Sequence, residues 1–166
     1  IGWCYVGASG YMVYNRWVLH QGDWYFINSS GYRLQNTWKL DSVDWCYLGA
    51  DGKMLTNAWQ KDSKGWCYVG SNGYMYANKW LNEGGKWYYL KSDGHMTVGY
   101  AQIDKSVYYF KSNGVMFANG KLDNSVNVGS DGKLKSSEYS YLLGADYRRE
   151  KRAYSSTVAR CGYVHV

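Results

Sequence analysis

Nine Trp and nineteen Tyr, against only three Phe, make the chemically capable residues of this chain aromatic rings with an open π face or a polar tip. They keep time. A central series runs Trp3, Trp24, Trp45, Trp66 and Trp87 at a constant step of 21, and Val107 follows after 20. A leading series runs Trp17, Trp38, Trp59, Trp80 and then Tyr100. "WKLDSVDWCYLGADGKMLTNAW", from Trp38, therefore recurs 21 places on as "WQKDSKGWCYVGSNGYMYANKW", from Trp59. Met12, Met54, Met75, Met96 and Met116 hold the same phase, with Leu34 and Leu134 taking that role in their units. Ring faces beside an aliphatic or thioether group support two kinds of recognition. They attract a cation that has no N–H to donate, through the ring quadrupole, or they stack on sugar rings. Each ring is equally suited to fill a seam between units, and one ring can do both.

Other chemistry is poorly served. Cys4, Cys46 and Cys67 stand in "WCYVG", "WCYLG" and "WCYVG", where other units place Tyr25, Tyr88 or Tyr108. A position that takes Cys or Tyr reads as packing. There is no CxxC pair, and His20, His95 and His165 are scattered, so no zinc-ligand spacing is present. A Cys46–Cys67 disulfide between neighbouring units is conceivable, while free thiols would suit a reducing or anaerobic setting. Asp51, Asn72, Asp93, Asn113 and Asp131 give one oxygen ligand per unit, which suits turns better than calcium. Asp41, Asp44, Asp62, Glu83 and Asp104 fall at unmatched phases in polar segments and form no acid pair. No Ser-His-Asp or Cys-His signature appears, and Cys161 near His165 is too slight a hint to make one. The expectation is a binding module with no catalytic residues, no metal and no cofactor.

The elements that must position the rings are short strands. "WCYLG" alternates in period 2, "ADG" is a turn, and Lys53 to Leu55 return as a second strand. The turn Gly series, Gly10, Gly31, Gly52, Gly73, Gly94, Gly114 and Gly132, shares the clock, and Gly accepts positive φ without a Cβ clash. The intervening "TNAWQKDSKG" reads as a connector. A lone hairpin is marginal in water, and 21 residues cannot bury a core, so units must lean on one another. The predicted fold is all-β: a solenoid of stacked hairpins over residues 1–134, with a non-repeat C-terminal tail or cap over 135–166. In that tail "DYRREKRAY" suggests a short helix or basic patch, and "CGYVHV" a last strand. Half of the net charge of +6 lies there, so the array is only mildly basic and no nucleic-acid partner is expected. No run crosses a membrane. Opening inside a motif, at "IGWCYVG", the chain reads as a fragment or processed piece.

"NKWLNEGGKWYYLKSDGHMTVGY", Asn78 to Tyr100, resembles the choline-binding, or cell-wall-binding, repeat: a leading Trp, a "WYY" strand, a "DG" turn and a Met. The likeness covers about residues 1–134, and it departs in using "NRW", "NTW", "NAW" and "NKW" where Gly often precedes Trp. It implies a module that tethers bacterial or phage wall proteins, cell-wall hydrolases among them, to choline on (lipo)teichoic acid outside the cell. In that family two aromatics of one repeat, one of the next and a Met or Leu floor enclose the ligand. By phase, the cages implied are Trp17, Trp24, Tyr47 and Met54; Trp38, Trp45, Tyr68 and Met75; Trp59, Trp66, Tyr89 and Met96; and Trp80, Trp87, Tyr109 and Met116. The seam of Tyr100 and Val107, with its third position near Asn127, is expected to be dead. The resemblance also allows a homodimer through terminal hairpins. Glucan-binding repeats and toxin receptor-binding repeats share similar patterns, and in them the aromatics would meet sugars.

Overall fold

The computed structural model describes residues 3–122 and 126–134; the tail of 135–166, with the helix and strand expected in it, lies outside the described residues. The described residues form twelve strands and no helix. Consecutive strands pair into six two-stranded sheets: β1 (Arg16–His20) with β2 (Asp23–Ile27), β3 (Thr37–Leu40) with β4 (Trp45–Leu48), and β5 (Ala58–Lys61) with β6 (Trp66–Val69). β7 (Lys79–Glu83) pairs with β8 (Lys86–Leu90), β9 (Gly99–Ile103) with β10 (Ser106–Phe110), and β11 (Gly120–Lys121) with β12 (Asn127–Val128). The chain divides into two compact units, Ile1–Asn82 with Tyr89–Met96, and Glu83–Tyr88 with Thr97–Val166. The expected all-β stack of hairpins, one per repeat, is what the chain forms.

The hairpin itself differs from the sequence reading. The expected connector supplies a strand: β3, carrying Trp38, runs antiparallel to β4, with Trp38 opposite Tyr47 and Leu40 opposite Trp45. The strand expected after the Gly turn is reduced to one bridge, Leu48 to Met54. The reason lies in the hydrogen bonds. Tyr47 carbonyl accepts from Leu55 amide at 2.9 Å, but the Met54 amide turns the other way, to the Trp24 carbonyl of the preceding repeat, at 2.8 Å. The return segment is thus shared between its own hairpin and the one before it. The same bond joins Met75 to Trp45, Met96 to Trp66 and Met116 to Trp87 at 2.7–2.8 Å, and Leu134 to Val107 at 2.9 Å. Each repeat borrows ladder partners from its neighbour, which is how a unit too small for its own core is held.

Two left-handed positions recur from repeat to repeat and bend the chain. The turn glycine is one: Gly73 has φ of 80°, and a Cβ there would stand 2.3 Å from Met54 Cε, so the preceding methionine lies under the turn. The other is the Asn before the leading Trp. Asn15, Asn36, Asn57 and Asn78 have φ of 45–49°, and the Asn57 amide closes the repeat onto the Gly70 carbonyl at 3.1 Å. Asn is among the few non-Gly residues at home there. This accounts for "NAW" and its relatives where glycine was the familiar choice.

In the first unit the face opposite the Trp residues is the interior: Cys46, Leu48, Cys67, Val69 and Leu90 are all within 1% of full burial. Cys46 and Cys67 are free thiols, and burial is the main force pushing each of them up to about 11. In the second unit Val107, in the place of a central Trp, lies buried with Val126, Val128 and Leu134.

Candidate binding seams

Strand register puts the leading and central tryptophans on one face of each hairpin. Trp38 stands opposite Tyr47, and Trp45 lies two residues before Tyr47, so all three project from the same side of the pleat. Trp59, Tyr68 and Trp66 repeat the arrangement, as do Trp17, Phe26 and Trp24. The directly opposed rings meet edge to face: Trp17 and Phe26 at 5.3 Å, Trp38 and Tyr47 at 5.2 Å, and Trp59 and Tyr68 at 5.2 Å between centroids; the Trp80 and Tyr89 rings also meet edge to face, at 5.1 Å. In the second unit Tyr100 and Tyr109 are tilted at 4.8 Å. Such pairs contribute roughly 0.5–1.5 kcal/mol beyond their burial, which fixes the ring faces before any ligand arrives. The central rings stay open: Trp24, Trp45, Trp66 and Trp87 are 40–46% exposed, while Trp17, Trp38, Trp59 and Trp80 are half-buried.

Of the residues implied for each cage, the structure joins the central Trp to its methionine most directly. The bonds from Met54 to Trp24, Met75 to Trp45, Met96 to Trp66 and Met116 to Trp87 set those residues side by side. Tyr47, assigned to the cage of Trp17 and Trp24, packs on Trp38 of its own hairpin, and Tyr68 packs on Trp59. Each of these tyrosines is therefore held by the leading Trp of the following set. Tyr68 is buried, Tyr47, Tyr89 and Tyr109 are half-buried, and so are Met54, Met75, Met96 and Met116. For the fourth set, Trp80 belongs to the first unit and Trp87, Tyr109 and Met116 to the second.

Two residues were missed. Phe26 occupies the position of Tyr47 and Tyr68, a match that counting 21 back from Tyr47 would have found. Arg33, and not Leu34, fills the methionine role in its unit: the Arg33 amide bonds the Trp3 carbonyl at 2.8 Å, and Ile27 bridges to Arg33. The Arg33 guanidinium lies 6.0 Å from the Trp3 ring and 5.7 Å from that of Tyr25. Lysines approach other faces: Lys39 Nζ stands 3.9 Å over Phe26, Lys79 Nζ 3.9 Å over Tyr76, and Lys61 Nζ 5.9 Å from Trp66. Phe26 and Tyr76 thus already receive a cation from the chain itself, whereas the Lys61 amine stands at the outer limit of such a contact and leaves the Trp66 ring exposed.

The polar segments between strands are ordered by their carboxylates. Burial tends to raise Asp41, but the Val43 amide, the Tyr74 hydroxyl, the Asp44 amide and Lys39 outweigh it and hold the carboxyl below its ordinary range. Tyr74 donates to Asp41 Oδ2 at 3.0 Å, and burial followed by this carboxylate pushes the phenol up to about 12. One repeat on, burial of Asp62 is likewise outweighed by the amides of Lys64 and Gly65 and by His95.

Residues 15–33, 57–75, 78–96 and 98–116 each match the family model of the cell wall binding repeat, a choline-binding type. Among solved structures the chain is similar to choline binding protein F of Streptococcus pneumoniae, at 34% identity over 81% of this chain and 44% of that one, with a TM-score of 0.67. CbpJ of the same organism is similar at 31% identity over 80% and 45%, with a TM-score of 0.68. The choline-binding domain of CbpL, also from S. pneumoniae, is similar at 30% identity over 80% of this chain and 82% of that domain, with a TM-score of 0.55. The chain spans less than half the length of the first two. No curated protein sequence matches it.

Proposed function

The chain belongs to the choline-binding family of cell wall binding repeats, and on that premise we propose that it is a non-catalytic anchor that holds choline groups of teichoic acid between successive repeats. The observation that carries this reading is the recurring trio of a held aromatic pair, an open central Trp and a methionine bonded to that Trp. A quaternary ammonium has no N–H, so hydrogen bonds cannot select it from water; ring faces and aliphatic contacts can. Each face contributes about 0.5–2 kcal/mol, and association costs offset part of the sum. One site then binds near the millimolar level, about −4 kcal/mol. Several sites on one polymer gain avidity of roughly 10²- to 10⁴-fold where geometry allows joint engagement.

The three cages assigned by phase within the first unit, Trp17, Trp24, Tyr47 and Met54, then Trp38, Trp45, Tyr68 and Met75, then Trp59, Trp66, Tyr89 and Met96, remain the proposed sites, with Phe26 and Arg33 marking an altered seam at Trp3. The proposed setting is the outer face of a bacterial wall, and the proposed assembly includes a dimer, to be read by light scattering with and without choline. Calorimetry separates the ligand classes. Choline should bind in several weak, near-equivalent steps while isomalto-oligosaccharide gives no heat. Saturable heat from the sugar alone would replace this reading with a glycan platform.

A further inference from the structure

Away from the aromatic seams, the first unit gathers a different set of groups. Asp62 follows β5, Cys67 lies on β6, and His95 lies in the turn of the next repeat, 28 residues beyond Cys67. Cys67 and His95 form a bridge pair, which sets their side chains on one side of the ladder. One donor atom from each of Asp62, Cys67 and His95 falls within 4.8 Å of the others. His95 Nε2 stands 3.0 Å from Asp62 Oδ2, and the side chain of His95 is about nine-tenths buried. The Asp62 carboxylate is fixed by the amides of Lys64 and Gly65, at 2.7 and 3.0 Å from Oδ1. Behind the ring, His95 Nδ1 makes no hydrogen bond, yet Asp93 Oδ2 lies 3.3 Å from it.

We propose that Asp62, Cys67 and His95 form a binding site for a zinc-type divalent cation that clamps one repeat to the next. Thiolate, imidazole and carboxylate are the ligand classes zinc takes, and donors within 4.8 Å of one another would close to the roughly 3.3–3.7 Å edge of a zinc tetrahedron on binding. With Nε2 on the metal, the ring proton belongs on Nδ1, facing Asp93. That is the carboxylate–histidine–metal arrangement that orients ligating histidines. On binding, the Cys67 thiol proton leaves to solvent and a sulfur–metal bond forms. A fourth position is left to water. The preceding repeat is the chain's own control: Asp41 and Cys46 recur there, but Tyr74 stands where His95 would be and donates its hydroxyl to Asp41 instead.

The test uses the whole 166-residue chain, reduced, titrated with cobalt(II) as a spectroscopic substitute for zinc. Expected is one equivalent bound, with a sulfur-to-cobalt charge-transfer band, and displacement by zinc. C67S and His95→Tyr should each abolish the band, C46S should keep it, and Asp93→Asn should weaken binding about 10- to 100-fold. His95→Tyr reproduces the Tyr74 arrangement, so circular dichroism should show it folded. No band in the native chain, or a band that survives His95→Tyr in the folded protein, overturns the site and leaves His95 and Asp62 as a hydrogen-bonded pair only.

Discussion

A tryptophan in this chain has two jobs on two atoms. Trp66 offers its carbonyl to the Met96 amide at 2.7 Å while its ring is 43% exposed. The backbone bond holds whatever the side chain is, so the ring can be removed without dismantling the repeat. Trp66→Ala should cost one choline site of the array, seen by calorimetry as a lower stoichiometry, with the remaining sites unchanged. Loss of one face, about 0.5–2 kcal/mol, corresponds to roughly 2- to 30-fold weaker binding at that seam. An unchanged isotherm would move the cage off the central Trp. Arg33 makes the converse case: a fixed cation at the methionine position, beside the Trp3 ring, suits a seam that does not take an ammonium from outside.

At the scale of the element, the repeat is closed by backbone conformations rather than by side-chain bulk. Asn57 sits at φ of 46° and its amide bonds the Gly70 carbonyl. An alanine there would bear the left-handed penalty of about 1–2 kcal/mol, whereas glycine bears none. Thermal melts should therefore rank Asn57→Ala below both the native chain and Asn57→Gly. Equal melting of all three would mean that the left-handed conformation at this joint does not limit stability. The pairing of β5 with β6 explains why this joint is placed where it is: the chain must reverse there to bring Trp59 opposite Tyr68. The sequence marked the Asn by its phase but not its conformation, because "NAW" reads as turn or strand until the partner carbonyl is known.

For the molecule as a whole, stability should depend on pH at both ends. Cys46 and Cys67 rise from 9.0 to about 11, and Tyr74 from 10.0 to about 12. Between those limits the unfolded chain releases protons that the folded chain keeps, so stability is full below about pH 9 and falls as pH rises through the folded values. Asp41, Asp62, Asp93 and Asp131 are held low in the fold. Their contribution is present above the ordinary carboxylate range and lost as pH falls below about 4. A melting-temperature profile should thus be flat near neutrality and drop on both sides. C46S should reduce the alkaline drop, and a profile identical to the native one would place its cause elsewhere. Choline should raise the whole profile, since a ligand of the folded seams stabilises by mass action.

Period, phase and turn chemistry determined the repeat length, the all-β class and the identity of the rings, because segments that keep one phase of apolar and turn residues are driven to one hairpin pattern. Tertiary structure alone decided which strands pair and which methionine each Trp carbonyl receives. A stretch with two possible partners is settled by the hydrogen bonds of the stack, as Met54 shows in turning its amide to Trp24. It also decided that Tyr47 rests on Trp38 and that Arg33 takes the place expected for Leu34. Asp62, Cys67 and His95 met for the same reason: donors dispersed over 34 positions, Asp62 to His95, are brought together only when one repeat is laid on the next.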